Sequence, residues 1–147
     1  MTASAWDHCP ECGGAVKRIR TVVTTRIGRR TIPVAGKFLR CQGECCEIYF
    51  APGEADEVSR RAAEIARSDH GLLTPQEIRD IRGQHDLTQQ QLEQLLNVGP
   101  KTVVRWEKGT VVQNAATDTL LRLLRDVPAV YRHLRRARAH ALSETTP

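Results

Sequence analysis

Two short cysteine clusters are the residues of this 147-residue chain best suited to chemistry: Cys9-Pro10-Glu11-Cys12-Gly13-Gly14 and Cys41-Gln42-Gly43-Glu44-Cys45-Cys46. In each, thiolates can point inward from one tight turn while glycines let the backbone turn away. A Cys-x-x-Cys pair alone would serve redox chemistry equally well. The second cluster turns the reading toward a tetrahedral thiolate site. Four sulfurs at about 2.3 Å from one zinc ion leave no open position for water, which describes structural rather than catalytic zinc. The cysteines number five, odd and clustered, and so fit metal ligands in a reducing compartment better than a disulfide frame. Cys9, Cys12, Cys41 and Cys45 are the expected ligands of one Zn2+. Cys46 is the alternative to Cys45 and would lengthen the second loop by one residue, and His8, beside a ligand, is an outside candidate. Four thiolates around a divalent ion add a net charge of about -2 to a segment that is otherwise basic.

Little else in the chain offers reaction chemistry. Glu54, Asp56 and Glu57 are close in sequence, but they fit the first turn of a helix, where acidic groups suit its dipole, better than a general acid and base. The five histidines are scattered, and no phosphate loop or nucleophile-base motif is present. The protein is therefore read as a non-enzyme.

The stretch Leu87 to Gly109 points to a different kind of work. Thr88 can cap a helix, with Gln91 three residues on closing a capping box, and Leu92, Leu95 and Leu96 share one face. Val98-Gly99 breaks the pattern with a residue able to take positive φ, Pro100 suits the first position of a new helix, and Gly109 stops it. Two short helices joined by a tight turn, with polar residues early in the second, is the geometry that places side chains in a DNA major groove.

Several elements must hold these residues in place. Strands are predicted over Val16 to Ile27, Thr31 to Val34 and Phe38 to Arg40, with a turn at Gly28. A connecting helix should present Ala55, Val58, Ala62, Ile65 and Ala66 on one face and stop at Gly71, so that Gly71-Leu72-Leu73 acts as a hinge. Thr74-Pro75-Gln76-Glu77 starts a helix that turns Ile78 and Ile81 inward. Asn114 caps another, holding Leu120, Leu121, Leu123 and Leu124. A last helix begins at Pro128 and carries Val130, Tyr131, Leu134 and Leu142, with Arg132, Arg135, Arg136 and Arg138 projecting. The expected fold is α+β: a small zinc-binding β-rich domain (1–53), a connecting helix and hinge (54–71), and an all-α five-helix domain (72–147).

Composition agrees with a polyanionic partner. The formal charge is +5 and the pI about 9.2, and both ends are basic: residues 1–53 carry eight Lys/Arg against four Asp/Glu, and 72–147 eleven against eight. Lys17, Arg18, Arg20, Arg26, Arg29 and Arg30 could form a patch, or simply a solvated strand face. Aromatics are too scarce for a stacking platform of the kind that grips single strands. No apolar run approaches a membrane span, and the start lacks a basic head and apolar signal core, so a cytoplasmic protein is expected.

Ile78-Arg79-Asp80-Ile81-Arg82, Leu87-Thr88-Gln89 and Arg105-Trp106-Glu107-Lys108-Gly109 together resemble the lambda-repressor/Cro type of helix-turn-helix. With a four-cysteine zinc domain ahead of it, and Cys45-Cys46-Glu47-Ile48-Tyr49-Phe50 after the second knuckle, the chain resembles the MqsA family of antitoxins, a YgiT-type zinc finger plus an XRE/Cro-like domain, over nearly its full length. The resemblance implies that Gln89 contacts a phosphate and that Lys101, Thr102 and Arg105 reach base edges, Arg105 by a bidentate contact to guanine. It places Val103 and Trp106 in the core and pairs Arg82 with Glu107. Familiar members have Asn in the place of Lys101, two rather than three residues inside the second knuckle, and a shorter, less basic tail. The implied function is that of a type II antitoxin and homodimeric autorepressor, with a toxin, a small ribonuclease, and a palindromic DNA operator as partners. The alternative is a stand-alone helix-turn-helix regulator whose zinc site is structural or senses metal or oxidation, with Cys46 as the resolving thiol.

Overall fold

The computed structural model describes residues 7–144, and side chains as far as Ala139; the expected core position Leu142 lies outside the described side chains. The order is β1 (Val16–Ile27), β2 (Arg30–Cys41), β3 (Ile48–Tyr49), then α1 (Glu54–His70), α2 (Pro75–Gln84), α3 (Gln89–Leu96), α4 (Thr102–Lys108), α5 (Ala115–Asp126) and α6 (Pro128–Glu144). A three-stranded antiparallel sheet is thus followed by six helices. The chain divides into two compact units between Ala62 and Ala63, inside α1 rather than at a loop.

In the first unit β1 and β2 pair along their whole length, Val16 opposite Cys41 and Ile27 opposite Arg30, with Gly28 at φ +61 in the turn. Alternation puts Val23, Ile32, Val34 and Phe38 on one face, where Val58 and Ala62 of α1 close the core. The break predicted between Val34 and Phe38 is absent, and β2 runs straight through. Ala35-Gly36-Lys37 looks like an interruption, yet Gly36 is there because the Phe38 ring folds over it. A Cβ at Gly36 would stand 2.7 Å from that ring.

The buried face of α1 is also shifted from the prediction. Val58, Ala62, Ala63, Ala66 and Arg67 are buried, while Ala55 and Ile65 are exposed. Apolar spacing misled here because Arg67 is buried whole, its guanidinium included. Arg67 donates through Nη2 to the Val111 carbonyl at 3.3 Å, and burial pulls its guanidinium down from the usual arginine value.

The second unit is built on a core of Leu73, Ile78, Ile81, Leu92, Leu95, Leu96, Val103, Trp106, Leu121 and Leu124; of the four leucines named on the helix capped by Asn114, Leu123 is exposed. Helix starts follow the local chemistry. Thr74 and Thr88 each form a complete capping box, with Glu77 and Gln91, and Asn114 accepts from the Thr117 amide at 2.8 Å. The expected hinge residues are pinned to this unit. Asp118 Oδ1 accepts from the Leu73 amide (2.8 Å) and from Gln113 Nε2 (2.9 Å), Oδ2 accepts from Arg122 Nε (2.8 Å), and Arg122 also donates to the Gly71 carbonyl.

Burial alone would raise the Asp118 carboxyl, but these hydrogen bonds, led by Arg122, outweigh it and hold the group below the ordinary aspartate value. Its stabilising contribution is therefore complete above about pH 4, the unfolded aspartate range, and is lost as pH falls through the lower folded value. Replacing Asp118 by Ala strips Leu73 and Gln113 of a buried acceptor, and a loss of about 2 to 3 kcal/mol is expected in urea unfolding at pH 7. The deficit should shrink in acid below pH 4. An unchanged midpoint at pH 7 would disprove the clamp.

Candidate metal centre and helical surface

The first site is assembled from two loops. Cys9 and Cys12 lie on a turn closed by the Cys9 amide donating to the Gly14 carbonyl and the Gly13 amide donating to the Cys9 carbonyl, both at 2.8 Å, with Gly13 at φ +74. Cys41 ends β2, and Cys45 sits in the loop between β2 and β3. Two glycines let these loops meet: a Cβ on Gly14 would fall 2.9 Å from the Gly43 Cα, and one on Gly43 would fall 2.8 Å from the Cys12 sulfur. Nothing larger fits.

The sulfurs of Cys9, Cys12, Cys41 and Cys45 all lie within 4.8 Å of one another. Individual separations are 3.4 Å (Cys9 to Cys45), 3.3 Å (Cys12 to Cys41) and 3.5 Å (Cys12 to Cys45). Around a zinc ion with bonds of about 2.3 Å, tetrahedral sulfurs stand roughly 3.8 Å apart, so the four can close on a single ion with small shifts. The group can hold one metal ion. Cys46 is not part of it. At φ +53 its side chain turns out to solvent, with Sγ 3.4 Å from the Gly43 carbonyl. His8 is exposed and is not among the grouped residues.

The surroundings prepare thiolates. The Gly43 amide donates to Cys41 Sγ at 3.2 Å, and the Tyr49 hydroxyl lies 3.0 Å from Cys9 Sγ. Burial pushes the Cys9 thiol up, but the bond from Tyr49 and the amides of the knuckle outweigh it and bring it down to about 6. At Cys45 the Glu47 amide pulls downward, while burial and the sulfurs of Cys9, Cys12 and Cys41 prevail and push it to about 12. Four thiols this close cannot all ionise without a cation among them. Tyr49 was not among the residues singled out from sequence. Its position in β3, paired with Leu39, aims it at the cluster, and only that register reveals it.

The second candidate surface is formed by α3, the link Asn97 to Lys101, and α4. Asn97 (φ +56) and Lys101 (φ +64) take the left-handed conformation there. Gly99, the residue expected to do so, does not, and a Cβ on it would make only ordinary contact with Thr102. Nor is Pro100 the first helical position: α4 begins at Thr102, with Lys101 as its N-cap. Asn97 is the natural host for positive φ because its short amide tolerates that region. Gly109, at φ +78, stops α4 as expected.

Glu107 organises this surface. It is 4 % exposed, and its carboxylate accepts from Arg82 Nε (2.7 Å), Arg82 Nη2 (3.2 Å) and Gln89 Nε2 (2.8 Å), while Arg79 donates to its carbonyl. The Arg82–Glu107 pair implied by the resemblance is therefore present, and it raises the arginine's already high pKa further. The Gln89 link to it was not foreseen. On α4, Val103 and Trp106 are buried and Thr102 is half-buried, while Arg105 on α4 and Lys101 at its N-cap are exposed, with no ion-pair partner among the described residues. Glu93 accepts from the Val103 amide at 3.0 Å and so caps the start of α4 from α3.

Taken together, a four-thiol β unit followed by a helical unit with a buried carboxylate fastening its short α4 defines a two-part protein, with a module that can hold one metal ion ahead of an all-helical one. A family model for the antitoxin component of bacterial toxin-antitoxin systems, MqsA, matches residues 7–135, and the chain belongs to that family. No curated protein matches the chain. No helix among the described residues is long and apolar enough to cross a membrane.

Proposed function

We propose that this protein is a non-enzymatic, cytoplasmic antitoxin and autorepressor. In this reading the four thiolates hold one structural zinc ion, the zinc-bearing domain masks a small toxin of the ribonuclease type, and the helical domain dimerises on a palindromic operator. The observation that carries it is the family match, which spans both units without a break. The zinc, when bound, supplies cross-linking and charge neutralisation. The residues of the chain supply four sulfurs, the Gly43 amide and the Tyr49 hydroxyl.

The helical surface supports DNA recognition in three ways. Helices α3 and α4 with their link form the proposed helix-turn-helix, and Lys101 at the N-cap of α4 and Arg105 within it stand exposed. The Gln89 amide is held by Glu107 through one N–H, which leaves the second free for a phosphate oxygen. Two copies would place their recognition helices about 34 Å apart, one DNA turn. Arg105→Ala should then cost about 1 to 3 kcal/mol of operator affinity and relax preference at one base position, as read by competition binding with single-base variants. Unchanged affinity and preference would move the recognition surface elsewhere.

The toxin is tested by co-purifying the untagged product of the neighbouring gene with a tagged full-length chain and with its Cys9→Ser/Cys12→Ser variant. A small protein retained by the first and lost by the second, with operator binding equal in both, supports the antitoxin reading. Nothing retained by either favours the free-standing regulator.

A further inference from the structure

Helix α6 carries Arg132, Arg135 and Arg136 exposed, and none of the three has a carboxylate partner among the described residues. Like charges three and four residues apart on a helix repel one another. Beside them, α3 and α6 border a cleft of about 440 Å³, within the size range of small-ligand sites. Its walls are fixed in advance. The His85 ring stacks on Tyr131 at 4.2 Å, and His85 Nε2 lies 3.0 Å from the Leu124 carbonyl. The Arg135 guanidinium sits 5.6 Å over the Tyr131 ring. Arg138 is anchored through Nε to the Leu95 carbonyl at 3.2 Å, which leaves its two terminal nitrogens as donors. Gln91 and Gln94 add amide groups, and Asp86 is the one carboxylate in the lining.

An adjoining depression lined by Arg132, Arg135, Arg136 and Ala139 shares Arg135 and Ala139 with the cleft, so the two form one cationic track. The track is separate from the surface beside Lys101, where Gln89, Gln90 and Glu93 line a different depression. Part of it, Arg136, Arg138 and Ala139, also lies beyond the span matched by the family model.

We propose that the α3–α6 cleft is a phosphate-binding site, with Arg135 and Arg138 as its principal donors. Guanidinium groups are donor-only and forked, which matches the oxygens of a phosphate ester, and an anion between them relieves their mutual repulsion. The Tyr131 ring is already occupied by His85 and Arg135, so the cleft offers phosphate recognition rather than a stacking surface for a base. The phosphate can belong to a free nucleotide-like anion or to a nucleic-acid backbone.

The test uses the full-length, zinc-loaded protein and its Arg135→Gln/Arg138→Gln variant. Calorimetry with sodium pyrophosphate probes the free anion. Binding of a non-operator duplex across a salt series probes the backbone. A free-anion site predicts submillimolar pyrophosphate binding that weakens at least tenfold in the variant. A backbone site predicts a duplex salt slope that is shallower by about 2, close to one phosphate contact per arginine. If both measurements are the same in wild type and variant, the proposal fails. Because Arg138 also holds Leu95, Arg135→Gln alone is measured beside it. Among the described residues its guanidinium makes no hydrogen bond or ion pair and sits over the Tyr131 ring, and a several-fold loss with an unchanged melting temperature is expected.

Discussion

Stripping the metal with a strong chelator is expected to unfold the unit that ends at Ala62 while the helical unit stays folded. The first unit has a small core of six buried residues, and its cysteine loops have no apolar core of their own. Gly14 and Gly43 let two backbones touch at the cluster, where little beyond a few backbone hydrogen bonds, such as the Gln42 amide to the Ala15 carbonyl at 2.8 Å, opposes the crowding of four sulfurs. Structural zinc contributes on the order of 10 kcal/mol or more to such modules at neutral pH. That exceeds the roughly 3 to 5 kcal/mol of net stability that a single core in a domain of this size supplies. Circular dichroism should lose its strand signal on chelation and keep its helical signal, and one equivalent of zinc should restore it. Cys45→Ser should abolish zinc retention, while Cys46→Ser should leave it at one ion per chain, because Cys46 points away from the other four. Full zinc content in Cys45→Ser would contradict the ligand set. Because Cys45 sits near 12 without metal, zinc must displace its proton at any physiological pH, and affinity should rise at least tenfold per pH unit from 6 to 8. Below about 6 Cys9 takes up a proton as well, and the dependence steepens.

Glu107→Ala should be the most damaging single change in the helical unit. The substitution leaves Arg82, itself half-buried, with no counter-charge, and frees Gln89. Removing one partner of a buried, hydrogen-bonded ion pair typically costs about 3 to 5 kcal/mol. That is a large share of the 5 to 15 kcal/mol that holds an ordinary domain together. Urea titration followed by Trp106 fluorescence should show a midpoint lowered accordingly, with Glu107→Gln intermediate because an amide can still accept one bond. Operator binding should weaken in Glu107→Gln even at temperatures where the variant is fully folded, since Gln89 loses its anchor. A Glu107→Ala protein as stable as wild type would mean that Arg82 finds another partner.

Much of this architecture can be read from single residues whose chemistry acts locally. Thr74, Thr88 and Asn114 cap helices wherever they have an open amide three residues on, and each does so here. Four of the five cysteines come together because the β1–β2 pairing that sets Val16 opposite Cys41 brings the two loops to one end of the sheet. The misreadings share a cause, namely that the deciding neighbour is far away in the chain or follows from geometry rather than composition. Gly36 marks the seat of the Phe38 ring, not a strand end. Arg67 lies inward and Ile65 outward, the buried guanidinium reaching the Val111 carbonyl 44 residues on in the chain. Gly99 drew attention as the flexible residue of its turn, yet Asn97 and Lys101 carry the positive φ. The Asp118–Gln113 clamp on Leu73 joins residues 40 and 45 positions apart in sequence, and no periodicity reports it.

On the proposed DNA-binding reading, Lys101 is the place where stability and recognition would pull in opposite directions. A lysine in the left-handed region at the start of α4 is strained by roughly 1 kcal/mol, a strain that asparagine or glycine would largely escape. Selection of variants for thermal resistance alone should therefore replace it early. Such proteins would melt later yet discriminate DNA differently, and so this one position would separate a lineage bred for endurance from one bred for its target.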